Sequence, residues 1–402
     1  MPKKILIVTE YFYPEEFKIN DVALSWKNKG YDVDVLTTIP TYPESKIYDG
    51  YKNKLYQKKI WQGINIYRLK AVTGYKAKLF KKILKYFIFM TCGSIVALCI
   101  GKKYDYVFGF NVGSLTAMLP AVIIRKFYKK PLTLWVQDIW PGSVYAFGFK
   151  KNKLLSFFLE KFVKFMYFNI DHVAISGKGF ESLLRPYVKD GVIFNHSPNW
   201  ADNLDMSIEP AELGDDKVQF TFAGNVGKMQ NLENIIKAFN GLSDEYIKKV
   251  QFNIVGDGSE LAELKKLDTK VKVVFHGRKY RNEMARYYIA SDFLIISLIN
   301  EPIFNVTVPA KTQTYIATKK PILAIINGDT ADIVRVNNLG FTADPSNIDA
   351  IKDVFIQAIE AGEDKLKQFS ENGDKLSKEA YSKNIIIDGL LKLTTKQQVE
   401  KK

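Results

Sequence analysis

The chain has 402 residues, which is more than one hydrophobic core usually supports, so two domains are expected. Its hydrophobic content of 47% and charged content of 25% are those of an ordinary globular protein and exclude a disordered chain. The net charge of +15 is uneven: residues 1–200 carry 31 basic and 14 acidic side chains, whereas residues 201–402 carry 27 and 29. We therefore expect the N-terminal half to meet a polyanion, either nucleic acid or an anionic membrane surface.

The two cysteines, Cys92 and Cys99, share one apolar segment. Their spacing fits one helix face and no zinc or redox motif, which is typical of a reducing compartment. Residues 1–4 lead directly into an apolar strand and show no signal-peptide pattern. We therefore expect a cytoplasmic protein.

Short apolar segments alternate with helical segments along the whole chain. In the first half, strands are predicted at 4–9, 32–37, 64–69, 105–109, 132–136, 171–175 and 191–194, with helices at 17–29, 76–101, 114–128 and 154–169. In the second half, strands are predicted near 218–223, 250–255, 271–275, 293–298, 321–326 and 340–342, with helices near 230–241, 259–266, 281–290, 310–318, 330–336 and 348–361. This alternation predicts an α/β fold with parallel sheets covered by helices on both faces.

The two series of strands predict two doubly wound, Rossmann-like domains that face each other across a cleft. We expect an N-terminal domain over residues 1–200 and a C-terminal domain over 201–375, joined by a polar hinge between Asn199 and Asp216. The last segment, 376–402, predicts a helix near 376–395 that crosses back toward the first domain, followed by a disordered tail.

The predicted helix at 76–101 is basic on one side. Helical spacing places four lysines on one face and apolar side chains on another: Lys78, Lys81, Lys82 and Lys85 against Leu79, Ile83, Phe87 and Met90. This pattern predicts an interfacial element that lies on an anionic membrane through residues 76–100. The apolar run 86–100 is expected to be too short and too interrupted to span a bilayer. The alternative is a buried crossover helix with solvated lysines. The sequence shows no nucleic-acid-binding motif.

The loop after the strand at 218–223 contains two glycines, Gly224 and Gly227, and leads toward a helix. Glycines let a backbone approach a ligand closely, and a helix N-terminus attracts anions. Three polar side chains lie within reach of a phosphate there: Asn225, Lys228 and Gln230. A tight structural turn uses glycine in the same way, so the motif alone is weak.

The stretch 301–321 follows an apolar strand and leads through a polar loop into a helix that begins after Pro309. Lys311 falls in the first turn, where a cation opposes the helix dipole at a cost of a few tenths of a kcal/mol unless an anion is bound. The alternative is a solvated lysine on an ordinary helix start. Two further strand ends carry the glycine-rich turn 254–258, interpreted as structural, and Arg278 with Lys279, which could line a base pocket.

The order of these stretches resembles the second domain of retaining family 4 glycosyltransferases, which have the GT-B fold. The first half carries matching motifs at 10–15, 17–21, 38–43, 137–141 and 199–202. They resemble a bacterial polysaccharide-assembly subgroup that includes N-acetylfucosaminyl and related transferases of O-antigen and capsule synthesis. The resemblance covers nearly the whole chain, and its short motifs occur in the family's order.

The resemblance implies a role for each motif. Gly224, Asn225, Gly227 and Gln230 would hold the donor diphosphate, and Lys228 would neutralise it as it leaves. The backbone of Val308, Pro309 and Ala310, assisted by Lys311, would bind the distal phosphate, and Arg278 and Lys279 would meet the nucleobase. Asn20, Asp21 and Asp138 would lie near the acceptor, with Tyr42 and Trp140 as platforms for a sugar or lipid. Asp138 could also deprotonate the acceptor hydroxyl or merely cap the turn before Pro141.

The chain departs from the family at its usual pair of glutamates. Val306 and Thr314 occupy the two places, although the second glutamate normally fixes the ribose hydroxyls. Thr314 offers one neutral hydrogen bond, worth about 1 kcal/mol. Glu301 lies nearby and is the candidate substitute in the catalytic set.

The function implied is transfer of a sugar, with retention, from a nucleotide-diphosphate donor to a polyprenyl-diphosphate-linked glycan. We expect a UDP-linked donor and consider an N-acetylated amino sugar. No metal or other cofactor is expected, because helix N-termini and basic side chains meet the leaving charge in this fold. The cytoplasmic face of the membrane is the expected location. Two alternatives remain: a sugar-nucleotide 2-epimerase of the same fold, and a degenerate partner subunit that has lost its donor site.

Overall fold

The computed structural model describes residues 2–75, 79–146, 152–201, 204–214 and 216–396. The chain divides into an N-terminal unit, which runs to Pro198 and takes up the chain again from Ile386, and a C-terminal unit over Asn199–Ile385. The division lies next to the expected boundary at residue 200. Lys78, part of the expected hinge (residues 202, 203 and 215) and the tail 397–402 lie outside the described residues.

The N-terminal unit contains eight strands in the part that the structure describes. They are β1 Lys4–Thr9, β2 Asp32–Thr38, β3 Tyr56–Trp61, β4 Ile64–Leu69, β5 Tyr106–Asn111, β6 Leu132–Val136, β7 His172–Ile175 and β8 Ile193–His196. The helices among them are α1 Lys18–Asn28, α2 Leu79–Ile100, α3 Leu119–Tyr128, α4 Gly142–Ala146, α5 Lys153–Phe168 and α6 Phe180–Leu184. The strand order is β3-β4-β2-β1-β5-β6-β7-β8.

The sheet of the N-terminal unit is mixed, whereas a wholly parallel sheet was expected. Strand β3 pairs antiparallel with β4 through a two-residue turn in which Gln62 and Gly63 both have positive φ, of 48° and 75°. Strand β3 has no buried residue, and its polar Gln57, Lys58 and Lys59 conceal the apolar signal of a core strand. An exposed edge strand of this kind is easily missed in a sequence.

The C-terminal unit has a six-stranded sheet that is parallel throughout the described residues. Its strands are β9 Val218–Ala223, β10 Val250–Val255, β11 Lys272–Gly277, β12 Phe293–Ser297, β13 Ile322–Ile325 and β14 Gly340–Ala343, in the order β11-β10-β9-β12-β13-β14. Its helices are α7 Leu232–Asn240, α8 Asp244–Lys249, α9 Leu261–Leu264, α10 Met284–Ile289, α11 Pro302–Asn305, α12 Lys311–Thr318, α13 Asp329–Val336, α14 Ile348–Ile359 and α15 Glu363–Glu379. The final helix is α16 Lys383–Thr395.

The four inner strands of the C-terminal unit, β9, β10, β12 and β13, are buried on both faces, which explains why they read as apolar runs. In β9, Phe220 and Phe222 point into a cluster with Phe239 and Phe355, whose rings lie 3.9–5.5 Å apart where they pair. Ala223 ends the strand in the core on the other face. The central strand is therefore fixed on both sides, and the loop after Ala223 leaves the sheet from a rigid base.

The single helix expected near 376–395 is two helices, because α15 ends at Glu379 and α16 begins at Lys383. Tyr381 between them is buried in the core of the C-terminal unit. Helix α16 packs in the N-terminal unit, where the indole of Trp26 donates a hydrogen bond to the carbonyl of Ile387 at 3.3 Å and Lys29 pairs with Asp388. Each helix is thus buried by a different core.

Candidate functional site

The carboxyl ends of β9, β10 and β11 meet at one edge of the C-terminal sheet, and each strand is followed or ended by a glycine. Gly256 adopts φ +155°, and a Cβ on it would lie 1.8 Å from the carbonyl oxygen of Gly224. The Gly256 N–H donates to the carbonyl of Gly277 at 2.9 Å. Backbone therefore packs directly on backbone here, which agrees with a structural role for the turn 254–258.

The loop Gly224–Gln230 is braced from within. The side-chain oxygen of Gln230 accepts hydrogen bonds from the Gly227 N–H at 3.0 Å and from the Asn225 amide at 3.3 Å. Gln230 and Asn225 thus hold the shape of the loop. Lys228 begins a single 3₁₀ turn and is exposed, so its ammonium is available to an anion.

Helix α12 is attached to the end of β9 by two side chains four residues apart. The Lys311 ammonium donates to the carbonyl of Ala223 at 2.8 Å, and the Tyr315 hydroxyl lies 3.2 Å from the Ala223 N–H. A Cβ on Gly224 would lie 2.8 Å from the Lys311 ammonium. The structure therefore brings the start of α12 against the Gly224–Gln230 loop, and a shared anion site there stays a prediction.

The Lys311 ammonium occupies an unfavourable place. Its polar partner is the Ala223 carbonyl and it lies over the Phe222 ring, 4.0 Å from the centroid, but no ion pair with a carboxylate of the described residues offsets the burial of its charge. Burial lowers the pKa of Lys311 to about 7. No side chain caps α12, so no side chain offsets the partial positive charge of the helix start, although the Thr312 N–H donates to the Pro309 carbonyl at 2.8 Å. A bound anion would relieve all of these penalties.

Buried polar atoms without a hydrogen-bond partner occur on the segments around the start of α12. They are Ser297 Oγ, Asn305 Oδ1, Thr312 Oγ1 and Gln313 Oε1. Thr312 and Gln313 are the second and third residues of α12, and both are almost fully buried. They were not among the site residues expected from the sequence, although consecutive polar residues in an otherwise buried helix were a usable signal. An unsatisfied buried polar group is costly, so these atoms lower the stability of the free protein.

The segment that leads to α12 is not a plain loop, because Pro302–Asn305 form the one-turn helix α11. Glu301 immediately precedes α11 and is exposed. Two residues earlier, the Ile299 N–H donates to the carbonyl of Met229 at 2.8 Å, so this segment runs beside the Gly224–Gln230 loop. Val308 and Thr314 are buried, whereas Ala310 is exposed at the helix start. The structure leaves the roles of Glu301 and Thr314 as predictions.

Arg278 and Lys279 follow Gly277 at the end of β11, on the same edge of the sheet and two strands from Gly224. Arg278 is exposed, and the Lys279 ammonium lies 5.6 Å from the ring centroid of Tyr287. Their position on this edge is compatible with contact to the base of a nucleotide whose phosphates lie at Gly224.

In the N-terminal unit, Asp138 connects the ends of two neighbouring strands. Its carboxylate accepts the Gly113 N–H at 2.5 Å, while the Trp140 indole donates to the Gly113 carbonyl at 3.1 Å. Burial raises the pKa of Asp138, which favours a carboxyl group able to hold or take a proton. The geometry allows both the functional and the structural interpretation.

The other predicted acceptor residues lie near the end of β1 and the start of α1. The side-chain oxygen of Asn20 accepts the Tyr13 N–H at 3.0 Å, and its amide donates to the Glu15 carbonyl at 2.7 Å. Asn20 therefore braces its own loop. Asp21 lies in the first turn of α1, and Tyr42 is 43% exposed beside the rings of Tyr11 and Phe17. Tyr42 is thus available as a platform.

Lys85 does not belong to the exposed lysine face, and that part of the prediction is wrong. Its side chain is buried, and its ammonium lies 2.7 Å from Glu10 Oε1 and 2.7 Å from the Tyr11 hydroxyl. Helical spacing alone could not show that a carboxylate at the end of β1 faces this position. Lys81 and Lys82 keep partial exposure.

The expectation that the apolar part of α2 is too short to span a bilayer also fails on length. Among the described residues, one helical segment, Phe80–Lys103, is long and apolar enough to cross a membrane by length and composition alone, with a mean hydropathy of 2.1. Only 22% of its apolar window is buried. Most of this surface is therefore open to something other than the protein core.

Fold and site together define a two-unit α/β protein with an anion-adapted edge on its C-terminal sheet. Residues 206–376, nearly all of the C-terminal unit, match the family described as glycosyl transferases group 1. The expected glycosyltransferase resemblance is confirmed at this broad level.

Two curated bacterial proteins are similar to part of the chain. A probable glycosyltransferase, WbjE of Pseudomonas aeruginosa, is 27% identical over 228 residues, which cover 53% of this chain and 56% of that protein. A putative colanic acid biosynthesis glycosyl transferase, WcaI of Escherichia coli, is 23% identical over 256 residues, which cover 60% of this chain and 61% of that protein. The chain thus aligns with little more than half of the length of these relatives.

Solved structures confirm the GT-B fold. Sucrose-phosphate synthase from Thermosynechococcus elongatus aligns with a TM-score of 0.71 at 15% identity, over 98% of both chains. HepE of Anabaena, solved in complex with UDP and glucose, aligns with a TM-score of 0.64 at 12% identity, over 98% of this chain and 99% of that one. The comparisons give no support to the epimerase alternative.

Proposed function

We propose that the protein is a retaining glycosyltransferase that moves a sugar from a nucleotide-diphosphate donor to a lipid-linked glycan in the biosynthesis of bacterial surface polysaccharide. The observation that carries the proposal is the start of α12. A partly buried, unpaired Lys311 and an uncapped helix N-terminus lie against the glycine-containing loop at Gly224. Both features are unfavourable in the free protein and become favourable when a diphosphate is bound.

The chemistry follows from this arrangement. The bond from the anomeric carbon to the diphosphate oxygen breaks, its electron pair stays on the diphosphate, and an acceptor hydroxyl forms the new bond on the same face of the sugar. Negative charge therefore grows on the diphosphate, next to Lys311, the start of α12 and the exposed Lys228. Preorganised positive charge at such a place stabilises the transition state without a metal. We propose Asp138 as the group that receives the proton of the acceptor.

The donor is proposed to be UDP-linked and to carry a hexose or an N-acetylated amino sugar. One support is the position of Arg278 and Lys279 on the same sheet edge as Gly224. The other is the structure of HepE, a protein of the same fold, which was solved with bound UDP. Thr314, in place of an acidic residue, would make one neutral contact to the ribose. We therefore expect the diphosphate to supply most of the binding energy.

The acceptor is proposed to be a polyprenyl-diphosphate-linked glycan bound by the N-terminal unit. The name of one similar protein, the putative colanic acid biosynthesis glycosyl transferase WcaI, supports a polysaccharide pathway. The excess of basic residues in 1–200 and the exposed apolar side of α2 support attachment to the inner face of the cytoplasmic membrane.

The experiment is donor turnover with a panel of UDP-, GDP-, ADP- and CMP-linked sugars, together with membrane extract as the source of acceptor. Turnover of one donor that falls at least about 100-fold in Lys228→Ala supports the proposal. The control is Lys249→Ala, which removes an exposed lysine that pairs with Glu245 on α8. Absence of both binding and turnover with every donor would refute the transferase and would favour the degenerate partner subunit without a donor site, which the missing glutamates motivate.

A further inference from the structure

Helix α2 exposes several large apolar side chains on its outer side. Phe80, Ile83, Phe87, Ile95 and Leu98 are exposed, and Phe80 reaches 73%. Their spacing of three, four, eight and three residues keeps them on one side of the helix. These side chains contribute little to the core, which α2 meets through residues such as Phe89 and Ala97.

Helix α3 contacts both α2 and α5, so the three helices lie side by side. A Cβ on Gly93 of α2 would lie 2.7 Å from the ring of Pro120 in α3, which shows how closely these two helices approach. The ammonium of Lys126 in α3 lies 5.3 Å from the ring centroid of Phe165 in α5. The three helices therefore form one layer on the same face of the sheet.

Helix α5 repeats the apolar exposure seen on α2. In its first turns Leu154, Leu155, Phe157 and Phe158 are all exposed, with Leu154 at 67% and Phe158 at 61%. The buried side of α5 is formed by other residues, namely Val163, Met166 and Tyr167. Four large apolar side chains at one end of a helix form a patch that soluble proteins usually avoid.

The charges around this surface are basic. Helices α2 and α3 contain no acidic residue, and α5 contains only Glu160, which accepts a hydrogen bond from the Tyr187 hydroxyl at 2.6 Å. The Lys161 ammonium lies 4.8 Å from the ring centroid of Phe157, so its stem follows the apolar patch and its charge reaches outward. A second copy of this surface would meet it lysine against lysine. An anionic bilayer complements both its charge and its apolar side chains.

We propose that α5 is a second membrane-contacting element, which inserts Leu154, Leu155, Phe157 and Phe158 at the headgroup level while α2 lies on the same bilayer. The inference rests on the membrane location proposed for α2 above. Two helices attached to one surface fix the orientation of the N-terminal unit on the membrane. One helix alone would leave the unit free to rotate about the helix axis.

The test is flotation of the full chain with vesicles of phosphatidylglycerol and phosphatidylcholine, compared with vesicles of phosphatidylcholine alone. Wild type should float with the anionic vesicles, and the double variant Phe157→Ser/Phe158→Ser should bind them at least about tenfold more weakly. The matched control is Val336→Ser/Ile348→Ser, which removes two exposed apolar side chains from the C-terminal unit and should bind as wild type does.

The outcomes separate the two proposals. If Phe80→Ser/Phe87→Ser loses binding while the α5 variant binds as well as the control, the location of α2 stands and the role of α5 is refuted. If wild type binds no anionic vesicle, both membrane proposals fail, and donor turnover decides the transferase independently. If light scattering shows a stable dimer that the α5 variant abolishes, α5 is a dimer interface, and its role at the membrane is also refuted.

Discussion

Replacing Lys311 with methionine should stabilise the free protein and weaken the binding of its ligand. Methionine resembles the lysine side chain as far as Cε and has no charge to bury. The pKa of Lys311 falls from 10.5 to about 7 because of burial, which corresponds to an upper bound on the order of 3–5 kcal/mol at neutral pH. Two effects reduce this gain. The Lys311 side chain is partly exposed, and methionine cannot make the hydrogen bond that the ammonium donates to the Ala223 carbonyl. We therefore expect a gain of about 1–3 kcal/mol in unfolding free energy.

The pH dependence of this gain follows from the direction of the shift. Between pH 7 and 10.5 the unfolded chain holds the Lys311 proton and the folded chain releases it, so the stability of wild type rises with pH. The advantage of Lys311→Met should thus be greatest below pH 7 and disappear as pH rises toward 10.5. Urea unfolding from pH 6 to 9 measures it, with Lys228→Met as the exposed control. A destabilised Lys311→Met variant, or a gain independent of pH, would refute the reasoning.

Four further predictions concern the charge of Lys311, the packing of Gly256, the ion pair of Glu10 with Lys85 and the need for a metal. UDP binding should take up about 0.9 proton at pH 8, because the anion restores the charge of Lys311; calorimetry in two buffers measures it, and no uptake would contradict the site. Gly256→Ala should cost more than about 2 kcal/mol in urea unfolding, because its Cβ would meet the Gly224 carbonyl; unchanged stability would contradict this packing. Glu10→Gln should lower the free energy of unfolding by about 3–5 kcal/mol, because it leaves Lys85 buried without its ion-pair partner. Adding Lys85→Met should recover part of this loss. Equal stability of the single and double variants would refute the ion pair. Donor turnover should persist in EDTA, whereas its loss, restored by Mg²⁺, would show that a metal is required.

The sequence predicted the strands of both cores well, because runs such as 293–298 are buried on both faces and carry a local signal. It failed where a contact depends on distant residues. Lys85 looked like Lys81 and Lys82 in the helical pattern, and only the position of Glu10 at the end of β1 distinguishes it. Strand β3 was missed because Gln57, Lys58 and Lys59 interrupt its apolar pattern and none of its residues is buried.

The candidate site shows the same limit. Glycine positions and the helix start after Pro309 were visible in the sequence, so the association of Gly224 with Lys311 could be predicted. The hydrogen bond from Lys311 to the Ala223 carbonyl could not, because the sequence shows that the two segments meet but not where the ammonium points. The sequence also could not show that Asn225 and Gln230 form hydrogen bonds within their own loop. A polar side chain near a phosphate loop can bind either the ligand or the loop itself.

The central claim is that the start of α12 and the loop at Gly224 form one diphosphate site. The most direct test is a crystal structure of the protein with bound UDP. We predict that the diphosphate lies against the backbone N–H groups of Val308, Ala310 and Lys311 and within hydrogen-bond distance of the Lys311 ammonium, with Lys228 turned toward it. A UDP molecule bound elsewhere, or a diphosphate that leaves Lys311 bonded only to Ala223, would contradict the account.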